Sequence, residues 1–190
     1  GMNDHSNPLL KDEIVRTLCD QVGIVASHGT FVHLFLNGVY RGIYNPAERV
    51  NEDFLQAYHG GGPLWDVIGV GNVALGGDSI AWTSLRTTAK KDLTLKTNYL
   101  DVAARMDLTN FIDYLLPHIW SDNDDWPHNN TRAARERVAG SRFRFYPWDA
   151  EFSFGSHPVT YDTIANTLST TSPPWGTTDY QQLDRKSTRL

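Results

Sequence analysis

Two polar runs carry the densest set of oxygen donors in the chain: Ser121-Asp-Asn-Asp-Asp-Trp-Pro-His-Asn-Asn130 and Tyr146-Pro-Trp-Asp-Ala-Glu-Phe-Ser-Phe-Gly155. Carboxylates take up protons, and together with amide oxygens they bind hard divalent cations. Phosphoryl transfer uses both abilities: one carboxylate orients or deprotonates the attacking hydroxyl, while an Asp and an Asn hold Mg2+ against the phosphates. Asp125 and Asn130 stand five positions apart on one loop, and Asp149 follows nineteen positions later at the end of an apparent strand. Protein kinases place their base Asp, metal Asn and metal Asp in the same order, with the same five-residue step. Asp and Asn are also common in loops, so the spacing alone does not separate this chemistry from a solvated loop that caps neighbouring helices.

Other chemistries fit the same residues less well. A calcium loop opening at Asp122 fails, because Trp126 takes the fifth position, Pro127 the glycine position and Ala133 that of the closing Glu. His118 and His128 flank the acidic loop and are zinc-competent residue types beside Asp122 or Asp125, but ten residues of irregular chain fix no geometry. Gly60 to Gly62 lack the Lys-Ser/Thr ending of a phosphate loop and read as a flexible connection. Asn129-Asn-Thr131 forms a glycosylation triplet that overlaps the acidic run, and such triplets are frequent by chance. Trp82, Trp120, Trp126, Trp148 and Phe152 read as core residues; a carbohydrate platform would instead need exposed indole faces.

The elements that must position these loops are legible in part. Ser6-Asn7-Pro8, then Leu10, Ile14, Leu18 and Val22 at helical spacing, then Gly23, predict a first helix. Phe31–Leu36 and Val39–Tyr44, joined by Asn37-Gly38, predict a tight hairpin, since both turn residues tolerate positive φ. A short helix is expected over Glu52–Tyr58, followed by an apolar run from Trp65 to Val70. From Asp78 to Trp120 the pattern is helical, with Ile80, Ala81 and Leu85 on one element; Leu108, Phe111, Ile112, Leu115 and Leu116 lie on another, opened by Asp107 as N-cap. Arg142 to Trp148 alternates charged and aromatic residues, as a strand with one buried face does. There is no internal repeat, and the segment from Thr170 to Leu190 is polar and without apolar pattern.

Composition limits the classes of function. With 190 residues, 40% of them hydrophobic and 12% aromatic, the chain has enough apolar surface for one folded domain. A net charge of -5 with scattered Lys and Arg offers no basic stripe, which argues against nucleic acid as a partner. No run approaches the roughly 20 apolar residues of a membrane span. The single Cys19, among Val15, Leu18 and Val22, reads as a buried helix residue and leaves the redox compartment open. Gly1 ahead of Met2 reads as a cloning remnant, so a native start and export signal are expected elsewhere.

Four stretches together carry a family resemblance. Phe31 to Arg49 combines an aromatic-rich strand, Asn-Gly, Arg-Gly-Ile-Tyr and Glu48-Arg49; Asn110-Phe-Ile-Asp-Tyr-Leu115, Asp125-Trp-Pro127 with Asn130, and Pro147-Trp-Asp149 with Phe154-Gly155 follow in order. In this order they resemble the CotH family of bacterial spore-coat protein kinases, over roughly residues 9 to 155. The resemblance implies an α+β, atypical protein-kinase-like fold, mostly the helical C-lobe with one N-lobe hairpin, as a single domain over residues 1–170 with a polar tail at 171–190. It also implies ATP with Mg2+ or Mn2+ as cofactors, Ser-rich segments of partner proteins as substrate, and a spore-coat, surface or secreted location. On this sequence Asp125 resembles the catalytic-loop Asp, Asn130 a metal or phosphate ligand and Asp149 the metal-binding Asp. Glu151 stands where the family often has a second Asp, and Glu48 falls near the inter-lobe linker with a contact to nucleotide.

One departure bears on activity. Kinases hold the α and β phosphates with a Lys on an early strand, and before the hairpin this chain has only Lys11, on the predicted first helix. The clamping strands are therefore expected upstream of this chain, or this member is an inactive scaffold of the same fold.

Overall fold

A computed structural model describes residues 10–127, 129–155 and 157–168. Among them the chain is mixed α and β, with two antiparallel sheets. The expected start of the first helix at Ser6-Asn7-Pro8 and the tail at 171–190 lie outside the described residues.

Helix α1 (Lys11–Gln21) ends where Gly23, at φ 88°, turns the chain. The Ile24 N–H then bonds back to the Cys19 carbonyl, satisfying one of the carbonyls a helix end leaves open. The buried face of α1 differs from the expected stripe: Val15, Arg16 and Cys19 are buried, whereas Leu10, Ile14 and Val22 are exposed. The reason is Arg16, whose guanidinium meets four acceptors under the helix and turns the Val15–Cys19 side inward.

Strands β1 (Val32–Leu36) and β2 (Val39–Tyr44) form the expected hairpin, with Asn37 at φ 50° and Gly38 at φ 78°. Helix α2 (Glu52–His59) follows, capped by the Asn51 side chain on the Phe54 N–H at 3.0 Å. Its connection to the next strand is the glycine loop, where Gly62 N–H donates to Glu136 Oε1 at 2.6 Å. A carboxylate of the protein itself thus sits on these glycines.

The four-stranded sheet has the order β4 (Ala74–Gly76), β3 (Trp65–Ile68), β5 (Arg132–Glu136), β6 (Arg144–Tyr146). Helices cover both faces. Ile68, Ala133 and Phe145 join Val15, Cys19, Trp82, Leu85, Phe111 and Tyr114 in one core; Trp65, Val67, Ala134 and Tyr146 join Phe54 and Leu55 in another. All four β3 residues are buried, which explains a run without polar alternation. Asp66 is buried there at 1% exposure and is neutralised by Arg135 Nε at 3.0 Å and Arg137 Nε at 2.6 Å.

This sheet is the main correction to the mostly helical reading. β5, with the sequence Arg-Ala-Ala-Arg-Glu, has no β-branched residue and was not expected as a strand. It is extended because β3 and β6 bond it on both sides and its two alanines, both buried, let helices approach from either face. The expected strand from Arg142 to Trp148 contracts to β6, and consecutive burial of Phe145, Tyr146 and Pro147 breaks its alternation.

Three helices span the region expected to be helical: α3 (Ile80–Ala89), α4 (Lys96–Ala103) and α5 (Leu108–Trp120). Asp107 caps α5 through the Asn110 N–H at 3.2 Å, as anticipated. Phe111, Tyr114, Leu115 and His118 form its buried face, while Ile112 and Leu116 point outward. A short α6 (Thr163–Leu168) lies past Gly155, where sequence signals are weak. No helix among the described residues is long and apolar enough to cross a membrane.

Candidate functional site

The acidic loop after α5 is held from beneath by aromatic rings. Trp126, 5% exposed, donates its indole N–H to the Tyr114 hydroxyl at 2.8 Å and stacks on the His118 imidazole, with centroids 4.9 Å apart and planes 7° from parallel. His118 is wholly buried, and its Nδ1 faces the Asn123 amide nitrogen at 3.0 Å. Burial disfavours the imidazolium and pushes the His118 pKa down to about 3, so the ring stays neutral at physiological pH. The histidine considered for zinc packs under the loop against Trp126 and Tyr114, and its partner in that reading, His128, lies outside the described residues.

Backbone bonds join this loop to the second acidic run. Asp124 N–H donates to the Phe152 carbonyl at 3.3 Å, Phe154 N–H donates to the Ser121 carbonyl at 2.7 Å, and the Ser121 and Ser153 hydroxyls lie 3.3 Å apart, both residues buried. Side chains complete the junction. Asn130 Nδ2 donates to Asp125 Oδ2 at 2.8 Å and to the Asp149 carbonyl at 2.9 Å, and Asn129 Nδ2 donates to the same Asp125 oxygen at 3.2 Å. Both partners of the Asn130 amide nitrogen are acceptors, which settles its orientation and leaves Oδ1 as the atom turned elsewhere.

Asp125, Asn130 and Asp149 are thus brought together across the two runs. Asn130 at φ 50° and Asp149 at φ 52° both occupy the left-handed region, which Asn and Asp tolerate better than other side chains. The peptide unit following Asp149 is held at both polar atoms, its carbonyl by Asn130 and its N–H, that of Ala150, by Asp12 Oδ1 at 2.8 Å.

Glu151 sits partly buried in the turn after Asp149. Glu48 is engaged at another place: its carboxylate accepts the His28 N–H at 3.0 Å and the Tyr58 hydroxyl at 2.7 Å. Burial by itself raises the Glu48 pKa, but these two donors outweigh it and hold the group below the usual carboxylate value. Asp122 turns to His157, whose Nδ1 lies 3.0 Å from Oδ2, and to the Thr163 hydroxyl at 3.3 Å. Among the described residues no three His, Cys, Asp or Glu side chains form a cluster that could hold a metal by themselves.

The family model for CotH kinase protein matches residues 1–64 and 76–186. The chain belongs to the CotH kinase family. Curated protein sequences gave no match. The unmatched stretch of this CotH member, residues 65–75, contains β3 and the turn into β4, so the family pattern is interrupted in the sheet and continuous through both acidic loops.

Asp12 was not anticipated as a neighbour of the site. It lies 138 positions before Ala150, and its only sequence signal, an acidic residue in the first turn of a helix, is explained equally well by the helix dipole.

Proposed function

We propose that this CotH family member is an atypical kinase-like domain that binds ATP with Mg2+ or Mn2+ and directs phosphoryl transfer to a Ser hydroxyl of a partner protein. One observation supports the reading: the Asn130 side-chain amide donates to the Asp125 carboxylate and to the main-chain carbonyl of Asp149, so the three residues assigned by the family resemblance are neighbours. Metal-bound ATP supplies the electrophilic γ-phosphorus and neutralises its charge.

Each residue has a distinct part. The Asp149 carboxylate and Asn130 Oδ1 are oxygen donors that would suit a hard divalent cation, which would neutralise phosphate charge when bound. Asp125 stands one residue before the buried Trp126 and receives two amide donors on Oδ2, so its plane is fixed to orient the Ser hydroxyl and accept its proton. Glu151 supports the cation from the adjacent turn. Glu48, near the inter-lobe linker of the family resemblance, is assigned a contact to the nucleotide. Of the tryptophans expected in the core, Trp82 and Trp126 are buried at 5% exposure or less, whereas Trp120 is 69% exposed and corrects that expectation; one exposed indole beside two buried ones does not make a carbohydrate platform.

Thermal unfolding with ATP and Mn2+ tests the reading. Ligand at about one hundred times its Kd stabilises a protein by about 2.7 kcal/mol, several degrees in Tm for a domain of this size. Wild type should show that shift only when metal and nucleotide are both present, and Asp149→Ala should lose it. Equal shifts in the two proteins would remove the assignment.

A further inference from the structure

We infer that Asp12 is a positioning residue for Asp149, acting through the peptide that links Asp149 to Ala150; the inference rests on the metal-nucleotide reading above. That peptide is clamped from two sides. Asn130 holds its carbonyl at 2.9 Å and Asp12 Oδ1 holds its N–H at 2.8 Å, and together they fix the plane from which the Asp149 side chain departs. Ala150 is fully buried, so water does not replace Asp12 as acceptor. The clamp holds the peptide that follows a residue at φ 52°.

Asp12 is itself held. Its Oδ2 accepts Arg16 Nε at 3.0 Å, and the Arg16 side chain is 4% exposed. The same guanidinium donates to the Ser27 carbonyl at 2.8 Å, to Glu13 Oε2 at 2.7 Å and to Asn45 Oδ1 at 2.5 Å. Gly29 lies against this cluster so closely that a Cβ would stand 2.8 Å from the Arg16 guanidinium and 2.9 Å from Asn45 Oδ1. The exit of the hairpin at Asn45 and the loop of Asp149 are therefore tied to one helix turn, and displacement of α1 is transmitted to the metal-binding carboxylate.

The test compares Asp12→Ala, Asp12→Asn and Glu13→Ala with wild type. Two quantities are read: the exchange rate of the Ala150 amide by NMR, and the Mn2+ concentration giving half the ATP-dependent Tm shift. Asp12→Ala should speed Ala150 exchange and raise the Mn2+ requirement about tenfold, the lower end of the usual loss for a residue that orients a metal ligand. Asp12→Asn keeps one acceptor oxygen and sets an NH2 against either Arg16 Nε–H or the Ala150 N–H, so both quantities should fall between wild type and Asp12→Ala. Glu13→Ala removes an Arg16 partner without touching the peptide and should change neither quantity. Should Asp12→Ala fail to fold, Asp12→Glu keeps the charge beside Arg16 but misplaces the acceptor, and should raise the Mn2+ requirement at unchanged melting temperature. An unchanged Mn2+ requirement in Asp12→Ala, or an equal rise in Glu13→Ala, overturns the inference while leaving the nucleotide reading intact. A wild-type protein that does not respond to Mn2+ and ATP ends both, and the Ala150 exchange rates then report a clamp with no catalytic use.

Discussion

The two sheets of this molecule are built by opposite means. In the hairpin no strand residue is buried, and Phe35, Leu36, Val39, Tyr40, Ile43 and Tyr44 are all between 47% and 60% exposed. In the four-stranded sheet all of β3 is buried, and both faces carry helices. The hairpin is specified locally, by Asn37-Gly38 and the backbone ladder. The larger sheet is specified by what packs on it, to the point that a strand reading Arg-Ala-Ala-Arg-Glu is held at its centre. A two-stranded ribbon with apolar residues on both faces is marginal by itself. Stability is therefore concentrated in the body that carries the acidic loops.

Substitutions in the two regions should differ several-fold. The largest effect is expected for Phe145→Ala on β6, fully buried against Phe111 at 4.8 Å and Tyr114 at 5.6 Å. Its loss should cost about 4 kcal/mol, read as a lower denaturant midpoint at unchanged slope.

Asp66→Asn should follow at about 2 kcal/mol, since hydrogen bonds to charged groups exceed neutral ones. Its pH dependence gives a sharper check. Burial alone raises the Asp66 pKa, but the Asp78 N–H and the Arg137 and Arg135 guanidiniums outweigh it and hold the carboxyl below its ordinary 3.8. A carboxyl depressed in the folded state contributes stability that is complete above its unfolded pKa and fades as the pH falls toward the folded one. The gap in Tm between wild type and Asp66→Asn should accordingly be constant near neutrality and narrow below about pH 4.

Phe35→Ala in the hairpin should change stability by about 0.5 kcal/mol or less, because 60% of the residue is already in water. A loss as large as that of Phe145→Ala would mean that the hairpin is part of the cooperative core, and the contrast between the sheets would collapse.

Legibility from sequence followed the same division. Asn37-Gly38, the Asp107 cap and the Gly23 stop are local devices, and each was readable because the physics lies within a few residues. β5 and the inward face of α1 were not readable, since alanines at a sheet centre and a buried arginine acquire meaning only from distant neighbours. The candidate site lies between these cases. Asp125 and Asn130 were selected by spacing and family pattern, which pointed to the Asp149 side chain; the bond from Asn130 to the Asp149 main-chain carbonyl was not legible in either. Asp12 had no pattern to announce it.

The buried face of α1 also contains the chain's single thiol. Cys19 is fully enclosed, and burial followed by the nearby Asp12 and Asp20 carboxylates pushes its pKa up to about 12. Thiolate, the form that reacts with alkylating agents, is therefore nearly absent while the helix is seated. The native sequence thus contains its own clock: the pace at which a thiol reagent reaches that sulfur counts how often the first helix lifts from the body, with no label or engineered residue needed.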